Sequence, residues 1–87
     1  GEYSLIYFDG ALSHALQKVP AAGDFRVQEE HGGHLRALEP EPALRAAADA
    51  VLRAVGDPPL YARVDLVRAD EASGFQLMEL ELIEPSL

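Results

Sequence analysis

The sequence contains no cysteine, which excludes disulfides, thiolate zinc sites, iron–sulfur clusters and cysteine nucleophiles. It is also poor in basic residues, with seven against fifteen acids and a formal net charge of −8. A nucleic-acid partner needs a basic face that displaces counterions, and an anionic membrane attracts the same kind of face. No apolar run approaches the ~20 residues that span a bilayer, and residues 1–4 do not resemble a signal peptide. We therefore expect a cytoplasmic protein that binds neither nucleic acid nor membranes.

The residues that are present suffice for one small domain. The chain has 87 residues, of which 48% are hydrophobic. This length is too short for two independent cores and just long enough for one. Because no linker, repeat or low-complexity segment divides the sequence, residues 1–87 are expected to form a single domain.

The first third of the chain predicts a β-hairpin. Residues 4–8 form an apolar run rich in strand formers, and Asp9-Gly10 is a strong hairpin-turn signal. Residues 11–19 combine a helix-forming composition with a two-residue alternation, and we favour a strand because the Asp-Gly turn returns the chain alongside itself. In that strand four side chains would share one face: Leu12, His14, Leu16 and Lys18.

The remaining elements follow from apolar periodicity. Further strands are predicted at 25–30, 35–38, 60–67 and 76–83. A helix should run from about Ala43 to Val55, after a proline suited to its first position and before Gly56, which suits its end. Its apolar stripe is Leu44, Ala47 or Ala48, Val51, Leu52 and Val55. The expected fold is α+β, with an antiparallel sheet packed on one face by one main helix.

The last two strands bring acidic residues together. If their connecting loop is centred near residue 72, Asp65 faces Glu79 and Arg63 faces Glu81. Opposed Cβ atoms lie ~5 Å apart on the same side of a sheet. The carboxylates of Asp65 and Glu79 could therefore coordinate one hard cation such as Mg²⁺. The same alternation is also typical of any strand with one solvated face, and both interpretations stay open at this point.

The middle of the chain holds weaker candidates. Lys18 and Arg26 are expected near the ends of adjacent strands, and two cations beside the flexible pair Gly32-Gly33 could hold phosphate. His31 and His34, with Glu29 or Glu30, could bind zinc, although they lack the regular spacing of a metal-binding histidine pair.

Four motifs together resemble a known family. They are Gly23-Asp24-Phe25-Arg26, Gly32-Gly33, Arg63-Val64-Asp65 and the segment from Met78 to Pro85. In this order they resemble the C-terminal part of an ATP-grasp ligase, nearest to the prokaryotic glutathione-synthetase-like enzymes that include ribosomal-protein glutamate ligases and cycloserine-pathway ligases.

The resemblance implies a set of site residues. Asp65, Glu79 and Glu81 would bind Mg²⁺ (or Mn²⁺) and through it the phosphates of ATP. Arg26 would be catalytic, contacting the transferred phosphate. Lys18 would be a further basic residue lining the site, and Gly32 and Gly33 would belong to the mobile loop that closes over the nucleotide phosphates. Arg63, on the same strand face as Asp65, is available for a phosphate oxygen. Glu81 stands where such enzymes usually have asparagine, which leaves the metal stoichiometry open.

The resemblance also implies a reaction, in which ATP phosphorylates a small carboxylate substrate and an amine then displaces the phosphate. The N-terminal ATP-binding half is expected to be absent, so the isolated chain would be an inactive part of such a ligase. The alternative is a non-catalytic binding or self-association module. In that case an aromatic patch of Tyr3, Tyr7, Phe8 and Phe25 would support a homodimer.

Overall fold

The computed structural model describes residues 1–19, 34–69 and 74–83. Within these ranges the elements are β1 (Glu2–Phe8), β2 (Ala11–Val19), β3 (His34–Leu38), α1 (Pro42–Val55), β4 (Tyr61–Arg68) and β5 (Phe75–Ile83). The strands form one antiparallel sheet in the order β3-β2-β1-β4-β5. The helix packs on one face of this sheet, mainly against β4 and β5. The predicted α+β fold is therefore confirmed, while the strand predicted at 25–30 lies outside the described residues.

The turn between β1 and β2 has the backbone that its residues favour. Asp9 and Gly10 both have positive φ angles, 53° and 82°. This combination matches the right-handed twist of the flanking strands, and aspartate and glycine adopt it at least cost. The predicted strand over residues 11–19 is confirmed.

A β-bulge in β2 divides its side chains between the two faces of the sheet. Ile6 pairs with His14 and Tyr7 pairs with Leu12, so Ser13 is the extra residue. Leu12 consequently packs against the core under the helix, whereas His14 shares the opposite face with Ile6. The expectation that Leu12 lies on the same face as His14 is therefore wrong.

The helix begins at Pro42, one residue earlier than expected, and ends at Val55, which is followed by Gly56 with a φ of 101°. Its buried residues are Leu44, Ala48 and Leu52, three members of the predicted stripe. Their spacing places them on one side of the helix, which therefore covers the sheet with a continuous apolar surface. No helix in the described part of the chain is long and apolar enough to cross a membrane.

The core fills the space between α1 and the sheet. Its buried members are Tyr3, Leu5, Tyr7, Ala15, Leu44, Ala48, Leu52, Ala62, Val64 and Leu66. Two aromatic residues that were expected on the surface, Tyr3 and Tyr7, are thus core residues with 9% and 2% exposure. Phe8 is exposed, and Phe25 lies outside the described residues, so the aromatic patch is not formed as predicted.

The other face of the sheet, which we call the open face, carries mainly polar side chains from β1, β2, β4 and β5. By strand alternation and register it includes Glu2, Ser4, Ile6, Lys18, Arg63, Asp65, Glu79 and Glu81. The helix lies on the opposite side of the sheet. The open face is where the candidate site lies.

Candidate functional site

The register of β4 and β5 opposes the acidic residues as the sequence predicts. Asp65 pairs with Glu79 and Arg63 pairs with Glu81. A bulge follows immediately, because Leu66 pairs with Leu77 and Met78 is left as the extra residue. Leu77 therefore shares the face of buried Leu66, and not the face of Glu79 on which unbroken alternation along β5 would place it. The bulge begins beyond the acidic pair and leaves it intact.

Asp65 is the one charged residue in the described chain that is buried, with 7% exposure. Two donors satisfy its carboxylate. Ser4 Oγ donates a 2.7 Å hydrogen bond to Oδ1 from the neighbouring strand β1. Arg63 Nε lies 3.1 Å from both Oδ1 and Oδ2. A buried carboxylate that keeps its charge requires such partners.

The guanidinium of Arg63 contacts all three predicted metal ligands. Beside its bonds to Asp65, Nη1 lies 3.0 Å from Glu81 Oε1 and Nη2 lies 3.6 Å from Glu79 Oε1. The hydrogen bond to Asp65, followed by attraction to the three carboxylates, raises the pKa of Arg63 above its ordinary value, although burial opposes this. The arginine is therefore firmly cationic at the centre of an acidic group.

The donor set suits a hard divalent cation. Three carboxylates meet one guanidinium, which leaves an excess of two negative charges, and carboxylate oxygens are the ligands that Mg²⁺ prefers. In the part of the chain that the structure describes, no three acidic or histidine side chains are already grouped as a metal site. Each of the three carboxylates contacts the guanidinium of Arg63 instead.

A cavity of about 320 Å³ adjoins this group on the open face. Its lining includes Lys18, Arg63, Asp65 and Glu79, together with apolar side chains of β1, β2 and β3. Lys18 Nζ lies 3.8 Å from Glu2 Oε1, a long and partly exposed ion pair. Because Glu2 also lines it, the cavity joins two cations and three carboxylates, a lining that can contact both a metal ion and phosphate groups.

The remaining predicted site residues lie outside the described ranges. These are Arg26, Gly32, Gly33, Glu29, Glu30 and His31. His34 is the first residue of β3 and is exposed. The phosphate-binding and zinc-binding predictions that depend on these residues stay predictions.

Ser4 is a site residue that sequence reasoning missed. The signal was present, because Ser4 is the one polar side chain between apolar residues in the run Ser4-Leu5-Ile6-Tyr7-Phe8. Its partner could not be inferred, since pairing of β1 with β4 joins residues 61 positions apart.

Similarity to known proteins provides independent information. The cycloserine biosynthesis protein DcsG of Streptomyces lavendulae is 38% identical over 99 aligned positions, which cover 100% of this chain and 31% of that protein. The crystal structure of D-cycloserine synthetase DcsG matches with a TM-score of 0.69 at 32% identity, covering 98% of this chain and 31% of that one.

A second solved structure shares the fold. D-alanine–D-alanine ligase from Bacillus anthracis matches with a TM-score of 0.63 at 19% identity, covering 94% of this chain and 28% of that one. No family model matches the chain. The chain spans somewhat under a third of the length of the curated relative, 31%.

Proposed function

Since the chain is homologous to the ATP-grasp ligases and has the fold of one of their subdomains, we propose that it forms the metal- and phosphate-binding part of an ATP-dependent carboxylate–amine ligase. The observation that carries the proposal is the opposed pair of Asp65 and Glu79, with Glu81 beside them at the same guanidinium. Like charges directly opposed in a sheet are destabilising. Their placement here is understandable if they share a cation.

Each described residue has a distinct role in this proposal. Asp65, Glu79 and Glu81 would hold Mg²⁺ or Mn²⁺, which neutralises the phosphates of ATP and the charge that develops during phosphoryl transfer. Lys18 and Arg63 line the same cavity and would bind phosphate oxygens. A bidentate guanidinium matches phosphate geometry, whereas a lysine acts as a point charge.

Three further residues enter through the family resemblance. Arg26 would contact the transferred phosphate as the catalytic cation, and Gly32 and Gly33 would let the loop approach the phosphates closely. A loop that closes over the reacting groups also excludes water, which would otherwise hydrolyse the activated carboxylate.

The proposed reaction couples ATP cleavage to formation of an amide bond. The carboxylate oxygen attacks the γ-phosphorus of ATP and ADP leaves, giving an acyl phosphate. The amine then attacks the acyl carbon, phosphate leaves and the amine loses a proton. Small carboxylates and amines are the proposed substrates. We expect no ATP turnover by the 87-residue chain alone, because it spans only 31% of the curated relative.

Paramagnetic broadening by Mn²⁺ in ¹H–¹⁵N NMR spectra tests the site directly. In the wild-type chain Mn²⁺ should broaden the amide signals around Asp65 and Glu79 first. The variants Asp65→Asn and Glu79→Gln should lose this broadening. Glu41→Gln is a matched control, because Glu41 is an exposed acid paired with Arg68 at the start of the helix. Broadening spread evenly over exposed acids would contradict the proposal.

A second candidate function, self-association, is favoured by the edge strand β5. It is the last strand of the sheet and exposes Leu77, Met78 and Ile83 at 45%, 56% and 52%. An apolar edge strand can pair with another chain. Light scattering after size-exclusion chromatography tests this function: a monomer at high concentration would contradict it, and a dimer abolished by Met78→Lys would support it.

A further inference from the structure

The guanidinium of Arg63 occupies the position at which the three carboxylates converge. Its nitrogens lie 3.0–3.6 Å from carboxylate oxygens of Asp65, Glu79 and Glu81. A divalent cation bound by these groups would lie ~2.1 Å from their oxygens. The guanidinium and the metal therefore compete for the same oxygens and for the same small volume.

We propose that Arg63 is a built-in counter-cation that holds the three carboxylates together before metal binds and is displaced when it binds. The inference rests on the proposed function and adds a role for Arg63 that phosphate binding does not require. Without the guanidinium, three carboxylates on adjacent strands would repel one another and spread apart. With it, they stay within reach of a single cation.

The contacts of Arg63 differ in how easily they can break. The side chains of Glu79 and Glu81 are 65% and 52% exposed, and exposed ion pairs contribute little to stability because water and salt screen them. The contact with Asp65 is shielded, since that side chain is 10% exposed. The two glutamates are therefore released first, while Ser4 keeps Asp65 in place.

Displacement has a consequence for the order of binding. The Nη groups of Arg63 contact the two glutamates, so they are occupied. Once metal takes the glutamates, these groups become available to phosphate oxygens in the adjoining cavity, which Arg63 also lines. Metal binding thus frees the Nη groups of Arg63 to bind the phosphates of the nucleotide.

The test is the affinity of the intact chain for Mn²⁺ without nucleotide, measured by NMR broadening and by calorimetry. Arg63→Gln removes the competing cation but also the group that draws the carboxylates together. Because the register of β4 and β5 still opposes the acidic residues, the stronger attraction for metal should exceed the loss of pre-arrangement, and the variant should bind Mn²⁺ roughly tenfold more tightly than the wild type. Arg63→Lys keeps the charge but loses the planar guanidinium that contacts three carboxylates. This variant should bind Mn²⁺ about threefold more tightly than the wild type. Arg36→Gln is the matched control, because it removes the same charge from an exposed side chain that bonds Gln17 on the other face.

The outcomes separate this inference from the proposed function. If the wild type binds no Mn²⁺ at Asp65 and Glu79, the proposed function fails. If the wild type binds there and both Arg63 variants bind equally or more weakly, only the counter-cation role is overturned. Circular dichroism verifies that each variant is folded. Should both variants unfold, the guanidinium Nη–H signals of Arg63 in the wild type decide, because the Nη groups contact the two glutamates. Mg²⁺ must shift these signals, and unchanged signals overturn the proposal.

Discussion

Ser4 and Asp65 are directly paired residues of β1 and β4, and the Ser4 hydroxyl donates a 2.7 Å hydrogen bond to Asp65 Oδ1. β1 is the central strand of the sheet and is paired on both sides, so this donor is held in place by two hydrogen-bonded ladders. Arg63, the other donor to Asp65, has a long flexible side chain. Ser4 therefore acts as the fixed positioning residue for the buried carboxylate.

Ser4→Ala is expected to weaken Mn²⁺ binding about threefold to tenfold, because the Asp65 carboxylate loses the donor that fixes its orientation. The free energy of unfolding should fall by only about 1 kcal/mol, since Arg63 still satisfies the carboxylate. Calorimetry and urea denaturation measure the two effects separately. Ser4→Thr should restore binding, and Ser13→Ala, at an exposed position in the bulge, should change neither quantity. An unchanged affinity of Ser4→Ala for Mn²⁺ would contradict the positioning role of Ser4.

Gly10→Ala is expected to lower the free energy of unfolding by about 1–3 kcal/mol. Two effects add: the φ of 82° strains any residue with a Cβ, and the new Cβ would lie 2.9 Å from Pro58 Cβ. Gly56→Ala keeps the strain, with φ of 101°, but meets no atom within 4 Å, so it should cost less. Gly74→Ala has no near neighbour either and should be almost neutral. Urea denaturation of the three variants should give this order, and a different order would refute the steric argument.

Tyr7→Phe is expected to lower the free energy of unfolding at neutral pH by about 1.5 kcal/mol. The Tyr7 hydroxyl donates a 2.6 Å hydrogen bond to Asp49 Oδ1 on the helix, and the ring is almost fully buried. Arg45 Nε still bonds both oxygens of Asp49 at 3.2 Å, which limits the loss. Tyr61→Phe is the comparison, because Tyr61 is half-buried and no side-chain hydrogen bond to it is found among the described residues. Equal effects of the two changes would show that the Tyr7–Asp49 bond does not stabilise the helix on the sheet.

Alkaline pH should destabilise the protein through Tyr7. Burial, reinforced by the hydrogen bond to Asp49, raises the pKa of Tyr7 above its ordinary value of 10.0. The unfolded chain therefore releases the phenolic proton at a lower pH than the folded protein does. The stabilisation is fully present below about pH 10 and is lost as the pH rises further, with a slope of up to about 1.4 kcal/mol per pH unit.

Urea denaturation of wild type and Tyr7→Phe between about pH 8 and about pH 11 isolates this effect. Because the variant lacks the titrating group, its stability should fall less steeply above about pH 10. The two proteins should differ by a constant amount at lower pH. Parallel curves throughout the range would show that Tyr7 does not ionise differently in the folded and unfolded states.

Much of the acidic site could be predicted from the sequence. Strict alternation in residues 60–67 and 76–83 placed Arg63 and Asp65 on one face of a strand and Glu79 and Glu81 on one face of its neighbour. The short connection between the strands made them antiparallel neighbours. The position of the loop centre then set Asp65 against Glu79, and the structure confirms that pairing.

The contacts within the site could not be predicted in the same way. Alternation tells which side chains share a face, but not which rotamers they adopt. The sequence therefore could not show that the guanidinium of Arg63 contacts all three carboxylates. It also could not show the bond from Ser4, because that bond depends on β4 joining the sheet beside β1 and not at an outer edge.

The sequence by itself determined the local elements: the Asp9-Gly10 turn, the amphipathic helix that stops before Gly56 and the alternating strands, since each depends on neighbouring residues and a fixed period. Tertiary structure decided the strand order and the two bulges. An extra residue at Ser13 moves Leu12 to the core face, and one at Met78 sets Leu77 against Leu66 while Glu79 still faces Asp65. These choices depend on how distant segments pack, because one bulged residue moves every later side chain of its strand to the opposite face of the sheet.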